Sequence, residues 1–214
     1  MIKGIVFDMD GTVLDTETQY LEGWKVGISQ YKKEFSMDLF YNCCGRPTEE
    51  IREKYYAHYG NDIDFDKIYN MRVEYCHNKW NNEGICIKSG FEDLISFCKK
   101  KNIKTAIATS THRKVCERML KIAKISDCFD TLVCGDEIER GKPNPDIFLK
   151  AAEKINISFS ECIGVEDSIT GIEAVKRAGM ISVFIPDLIA PNALVEQNAD
   201  YILNNLSDII EIIK

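Results

Sequence analysis

The chain has 214 residues, 45% hydrophobic and 29% charged, enough to bury a proper core in one domain or two small ones. Its 34 acidic residues against 27 basic ones leave a formal charge of −7, which argues against general binding to nucleic acid or to anionic membranes and obliges any phosphate ligand to find a local positive site. No apolar run approaches the ~20 residues of a membrane span, and Met1-Ile2-Lys3-Gly4 leads into a strand rather than a signal peptide. The expectation is a cytoplasmic monomer with no membrane or nucleic-acid partner.

The first element is a buried strand, Ile5-Val6-Phe7, ending at Asp8-Met9-Asp10-Gly11-Thr12. Residues two apart on an extended chain face the same way, so Asp8 and Asp10 start as neighbours, and Gly11 lets the backbone turn. Two acids held together repel, and a divalent cation or a shared proton would compensate. Residues 17–83 then read as helical. Trp24, Ile28 and Tyr31 share a face, a helix opens near Thr48-Glu49-Glu50, and another spans about 65–80 with Ile68, Met71, Tyr75 and Cys76 at helical spacing.

From Lys88 onward strands and helices alternate: helix 91–101, strand 105–108, helix 113–123, strand 131–134, a loop over 140–146, and a helix to about 154. Strand 162–165, helix 171–178, strand 181–185, an edge strand over 201–203 and a helix over 206–213 follow. Such alternation predicts an α/β fold with a Rossmann-like parallel sheet covered on both faces, its ligand edge formed by the carboxyl ends of the strands. The core domain is expected from residues 1–16 and 84–214, with 17–83 an inserted all-α cap domain at that edge. The nine cysteines include no C-x-x-C pair and read as buried hydrophobes; His58, His77 and His112 read as surface or cap residues.

The edge collects Asp8 and Asp10, then Thr109 and Ser110, then Lys142, then Glu166 and Asp167. Two groups of acids build an oxygen cage suited to Mg²⁺. A hydroxyl and a lysine hold a phosphate, leaving one aspartate as a nucleophile and a second carboxyl as acid and base. Taken singly, each has a plain alternative: turn former, helix cap, solvated lysine or dipole partner.

Asp8-Met9-Asp10-Gly11-Thr12, Thr109, Lys142-Pro143 and Glu166-Asp167 resemble the four motifs of the haloacid dehalogenase superfamily. The segments 141–148 and 164–172 resemble its β-phosphoglucomutase and sugar-phosphate phosphatase branch. The resemblance implies a Mg²⁺-dependent phosphatase of a small phosphorylated metabolite, with a phosphosugar mutase or a non-catalytic phosphate-binding protein as alternatives. It implies Asp8 as nucleophile and metal ligand, Asp10 as acid/base with its carbonyl on the metal, Thr109 and Lys142 as phosphoryl binders, and Asp167 with Glu166 as the metal motif. Thr16, Tyr20, Gly45, Arg46, Ser110, Thr111 and Asn144 are the candidate substrate contacts. Tyr20 stands where the mutase carries a gating histidine, which favours the phosphatase.

Overall fold

Residues 1–44 and 46–214 are described by a computed structural model. β1 (Gly4–Phe7) lies inside a six-stranded parallel sheet. Its other strands are β2 (Lys104–Thr109), β3 (Thr131–Cys134), β4 (Cys162–Glu166), β5 (Ile181–Phe184) and β6 (Tyr201–Ile202), in the order β3-β2-β1-β4-β5-β6. Strand order reverses at β1, so the ends of β1, β2 and β4 converge on the position where doubly wound sheets bind ligands.

The apolar run of β1 serves both faces of the sheet. Val6 packs in one cluster with Phe148, Ala151 and Val175, while Ile5 and Phe7 belong to the cluster on the opposite face. Phe7 meets Phe91 and Phe129 edge-on at 6.3 and 6.2 Å. Ile5, Val6 and Phe7 are fully buried, each stabilising the fold by about 1.5–3 kcal/mol. This two-sided burial anchors the strand that carries Asp8.

Between β1 and β2 lie α1 (Glu17–Ser29), α2 (Met37–Cys43), α3 (Thr48–Tyr59) and α4 (Phe65–Glu83), followed by α5 (Phe91–Lys101). The first four form a helical segment built around Trp24, Tyr55 and Phe65, with Trp24 4.7 Å from Tyr55 and 5.8 Å from Phe65. α1 lies close against α4 because Gly23 has no side chain: a Cβ there would fall 2.9 Å from Arg72 Cγ and 3.1 Å from its carbonyl oxygen. The two connections to the sheet run side by side, Asp15 N donating to Cys86 O and Lys88 N to Val13 O, both at 2.9 Å.

The remaining helices are α6 (Arg113–Ile122), α7 (Asp146–Lys154), α8 (Ile169–Arg177), α9 (Ala193–Asn198) and α10 (Ile209–Ile213). α9 went unforeseen: it is only one and a half turns long, capped by Asn192, and its one buried side chain is Val195. The final helix begins as a 3₁₀ turn over Leu206–Asp208. Six cysteines are buried as expected, but Cys44 and Cys128 are half-buried and Cys86 is exposed in the return connection. No described helix is long and apolar enough to cross a membrane.

Candidate active site

Asp8 continues the ladder of β1, its N–H donating to Val165 O at 2.9 Å. Its side chain is thereby fixed at the sheet edge beside β4, where Glu166 and Asp167 follow. The loop after Asp8 is tight: Gly11 N donates to Leu14 O at 2.8 Å, and Gly11 adopts φ +79°. Glycine is required there on two counts, since a Cβ would lie 2.2 Å from Asp167 Oδ2. Thr12 Oγ1 then donates to Asp167 Oδ1 at 2.9 Å, tying the loop to the end of β4.

Lys142 arrives from the loop before α7, which is shaped by Asn144 Nδ2 donating to Gly141 O at 3.0 Å and by the Arg140–Asp146 pair. Only 2% exposed, its ammonium donates to Asp8 Oδ1 and, at 2.5 Å, to Glu166 Oε1. Glu166 Oε2 accepts from Asp167 N, Ser168 N and Ser168 Oγ at 2.9–3.1 Å. Protein donors therefore occupy the Glu166 carboxylate, which aims Lys142 at Asp8.

Asp8, Glu166 and Asp167 offer carboxylate oxygens that all lie within 4.8 Å of one another. Lys142 pairs with two of these three acids, Asp8 and Glu166. Burial pushes Asp8 upward, with Glu166 and Asp10 adding and Lys142 opposing. Burial, Glu166 and Asp8 do the same to Asp167. For Lys142 burial works against the charge, but Asp8 and Glu166 prevail and hold its ammonium above the usual lysine range. A buried, oxygen-only set with surplus negative charge fits a hard divalent cation. The Asp10 side chain stands outside this set. Thr16 Oγ1 and Tyr20 OH donate to its Oδ1 at 2.9 and 2.8 Å, and Thr111 Oγ1 donates to its Oδ2 at 2.9 Å.

These groups open on a cavity of about 180 Å³ between the sheet edge and the helical segment, lined by Asp8, Asp10, Thr109, Ser110 and Asp167 from one side and by Trp24, Arg46 and Arg72 among others from the other. The haloacid dehalogenase-like hydrolase family model matches residues 5–185. The chain belongs to that family. It is 29% identical to a phosphorylated carbohydrates phosphatase of Thermotoga maritima over 98% of this chain and 100% of that one. It is 28% identical to a beta-phosphoglucomutase of Bacillus subtilis over 97% and 95%. A solved beta-phosphoglucomutase of Clostridium difficile shares the fold, with a TM-score of 0.82 at 24% identity, covering 100% of this chain and 96% of that one.

In this haloacid dehalogenase-like hydrolase the expected substrate contacts divide. Ser110 and Thr109 line the cavity, and Thr109 Oγ1 accepts from Thr111 N at 3.1 Å rather than capping α6. The hydroxyls of Thr16, Tyr20 and Thr111 are turned onto Asp10. Arg46 lines the cavity with its guanidinium engaged by Glu50 and the Asn42 carbonyl. Asn144 is outside the cavity lining and braces its own loop. Gly45 lies outside the described residues.

Several lining residues were not singled out from sequence. Glu17 sits beside Asp10 and Asp187, and burial first, then those acids, push it up to about 8. His77, expected on the surface or at a cap, is half-buried and lines the cavity beside Trp80. His112 does stand at the N-cap position of α6, yet it lines the cavity too. Arg72 left one trace in the sequence: it occupies the apolar stripe of α4, four residues from Ile68 and from Cys76.

Proposed function

We propose that this hydrolase is a Mg²⁺-dependent phosphatase of a small phosphate monoester, most simply a sugar phosphate, with residues 17–83 acting as a cap over the site. Asp8 and Asp167 would hold the cation, each having one carboxylate oxygen on a protein donor, Lys142 and Thr12 respectively, and Glu166 would support them through Lys142. When bound, the cation supplies charge neutralisation at the phosphoryl oxygens.

In this reading an Asp8 oxygen attacks phosphorus as the bond to the leaving oxygen breaks, and Asp10, as general acid, gives a proton to that oxygen. Lys142 balances the charge on the phosphoryl group, and Thr109 and Ser110 line its seat. Asp10 then takes a proton from water, which attacks the aspartyl phosphate and restores Asp8 with release of inorganic phosphate. The observation that carries the proposal is the pairing of Asp8, which lines the cavity, with buried Lys142 behind it, next to a separate carboxyl, Asp10, that three hydroxyls orient. Asp8→Asn should fold and lose turnover, because an amide does not attack phosphorus; substantial phosphate release by the purified variant would sink the mechanism.

The mutase reading has one observation in its favour: Tyr20 is no mere packing aromatic, since its hydroxyl holds Asp10 at 2.8 Å. Burial, then Asp10, push that phenol well above its usual range, so it remains a donor at every working pH and lacks the histidine's change of role. Hydrolysis is therefore the favoured outcome. Phosphorus NMR on β-glucose 1-phosphate with catalytic glucose 1,6-bisphosphate distinguishes the two. Conversion to glucose 6-phosphate without inorganic phosphate would promote the mutase.

A further inference from the structure

The helical segment contains three arginines, Arg46, Arg52 and Arg72. Arg46 pairs with Glu50 at 2.9 Å, and Arg52 forms a two-pronged pair with Asp66, both contacts at 2.8 Å. Arg72 forms no ion pair among the described residues; Glu17, on the same cavity wall, feels its charge without reaching it. Its Nε is buried without a hydrogen-bond acceptor, and none of its other N–H groups reaches an acceptor among those residues. What holds it is aromatic: the guanidinium carbon lies 4.6 Å from the Tyr20 ring centre, 4.8 Å from Tyr69 and 5.2 Å from Trp24.

Stacking uses the faces of a guanidinium and leaves its in-plane N–H donors unused. Of its five donors the Nε–H is buried and idle, and the others are left to the cavity; an idle buried donor is unfavourable unless an acceptor arrives to take it. The site is also built for it. Gly23 of α1 clears the space that the Arg72 stem occupies, and Arg72 lines the same cavity as Asp8 and Asp10.

We infer that Arg72 receives a second oxyanion of the substrate, a phosphate or a carboxylate, so that this hydrolase selects phosphate monoesters carrying one. The inference rests on the phosphatase reading for the place of the first phosphate, while its test is a binding measurement. Tyr20, Tyr69 and Trp24 hold the planar guanidinium in one orientation, which limits the entropy lost when it forms a two-pronged contact. Arg46, already matched by Glu50, contributes less to this choice.

The test measures dissociation constants by calorimetry in the Asp8→Asn background with Mg²⁺. The ligands are glucose 6-phosphate, with one oxyanion, 6-phosphogluconate, with an added carboxylate, and glucose 1,6-bisphosphate, with an added phosphate. At least one of the doubly charged ligands should bind tighter by about 10- to 150-fold, the size of a hydrogen bond to a charged group, and which one does so tells carboxylate from phosphate. Adding Arg72→Met, which keeps a flexible stem, should erase most of that advantage; if it fails to fold, Arg72→Gln serves for the same comparison. Equal affinity for all three ligands in the parent, or an advantage that survives loss of the guanidinium, would overturn the inference. Phosphate release by the unmutated protein is scored separately. Its absence on every phosphate would count against the phosphatase reading, while the affinity ratios still decide the role of Arg72.

Discussion

Replacing Lys142 with Met keeps an unbranched side chain and removes the ammonium that lies over the Phe148 ring and pairs with Asp8 and Glu166. Two carboxylates no more than 4.8 Å apart repel by about 3.5 kcal/mol or more at an effective dielectric of about 20. Breaking a buried pair from one side costs about 3–5 kcal/mol for the same reason, and the acids of Lys142→Met can relieve it by taking up a proton. Burial already holds Asp8 and Asp167 above the usual carboxylate range. The metal-free folded state therefore binds more protons than the unfolded chain from about pH 4 upward, and its stability falls as pH rises toward the raised values. Lys142 is what lowers Asp8, so its loss widens that window. Urea unfolding in EDTA should show Lys142→Met destabilised by about 3–5 kcal/mol near pH 8, with the deficit narrowing toward pH 5. With Mg²⁺, phosphate release should fall about 10²- to 10³-fold or more, the scale of losing a charge-stabilising donor. A deficit below about 1 kcal/mol that ignores pH, as for an exposed pair, or kcat within about tenfold of the parent, would refute the electrostatic account.

EDTA should abolish phosphate release and Mg²⁺ restore it, and Asp167→Ala should raise the Mg²⁺ concentration needed; turnover indifferent to chelation would contradict the oxygen-ligand set. Gly11→Ala should destabilise the protein by about 1–3 kcal/mol and weaken Mg²⁺ binding, since its Cβ would meet Asp167 Oδ2 at 2.2 Å; an unchanged melting temperature and Mg²⁺ midpoint would argue that the loop adapts freely. Arg46→Ala should shift kcat/KM ratios between sugar phosphates by less than about fivefold, about 1 kcal/mol, because its guanidinium is already engaged by Glu50 and the Asn42 carbonyl; a larger change would make Arg46 a substrate contact.

Much of the core was legible because strong local rules apply there. Buried parallel strands are continuous apolar runs, so β1, β2, β4 and β5 stand out between polar turns. The acids, hydroxyls and lysine that follow those runs are placed by chain topology alone, since every parallel strand ends on the same edge. For that reason Asp8, Thr109, Lys142, Glu166 and Asp167 could be grouped before any contact was known. Short amphipathic elements were harder: α9 buries one side chain, too little periodicity to register.

The sequence by itself determined the parallel sheet, its ligand edge and the helical character of residues 17–83, because period and chain direction are local properties of the residues. Which side chains of that helical segment meet the edge was decided only by tertiary packing. α1 lies against α4 through the gap at Gly23, and that contact stacks Arg72 on Tyr20, Trp24 and Tyr69. The path of the chain from Asp10 into α1 brings the Tyr20 hydroxyl back onto Asp10, and the turn after β2 adds Thr111 from 101 residues away. Helical spacing marks Tyr20 and Arg72 as inward-facing, but an inward face is the same in a sequence whether it meets a core or a cavity. The difference arises from what stands opposite, which here is a carboxyl, a cavity and three rings brought together by the fold.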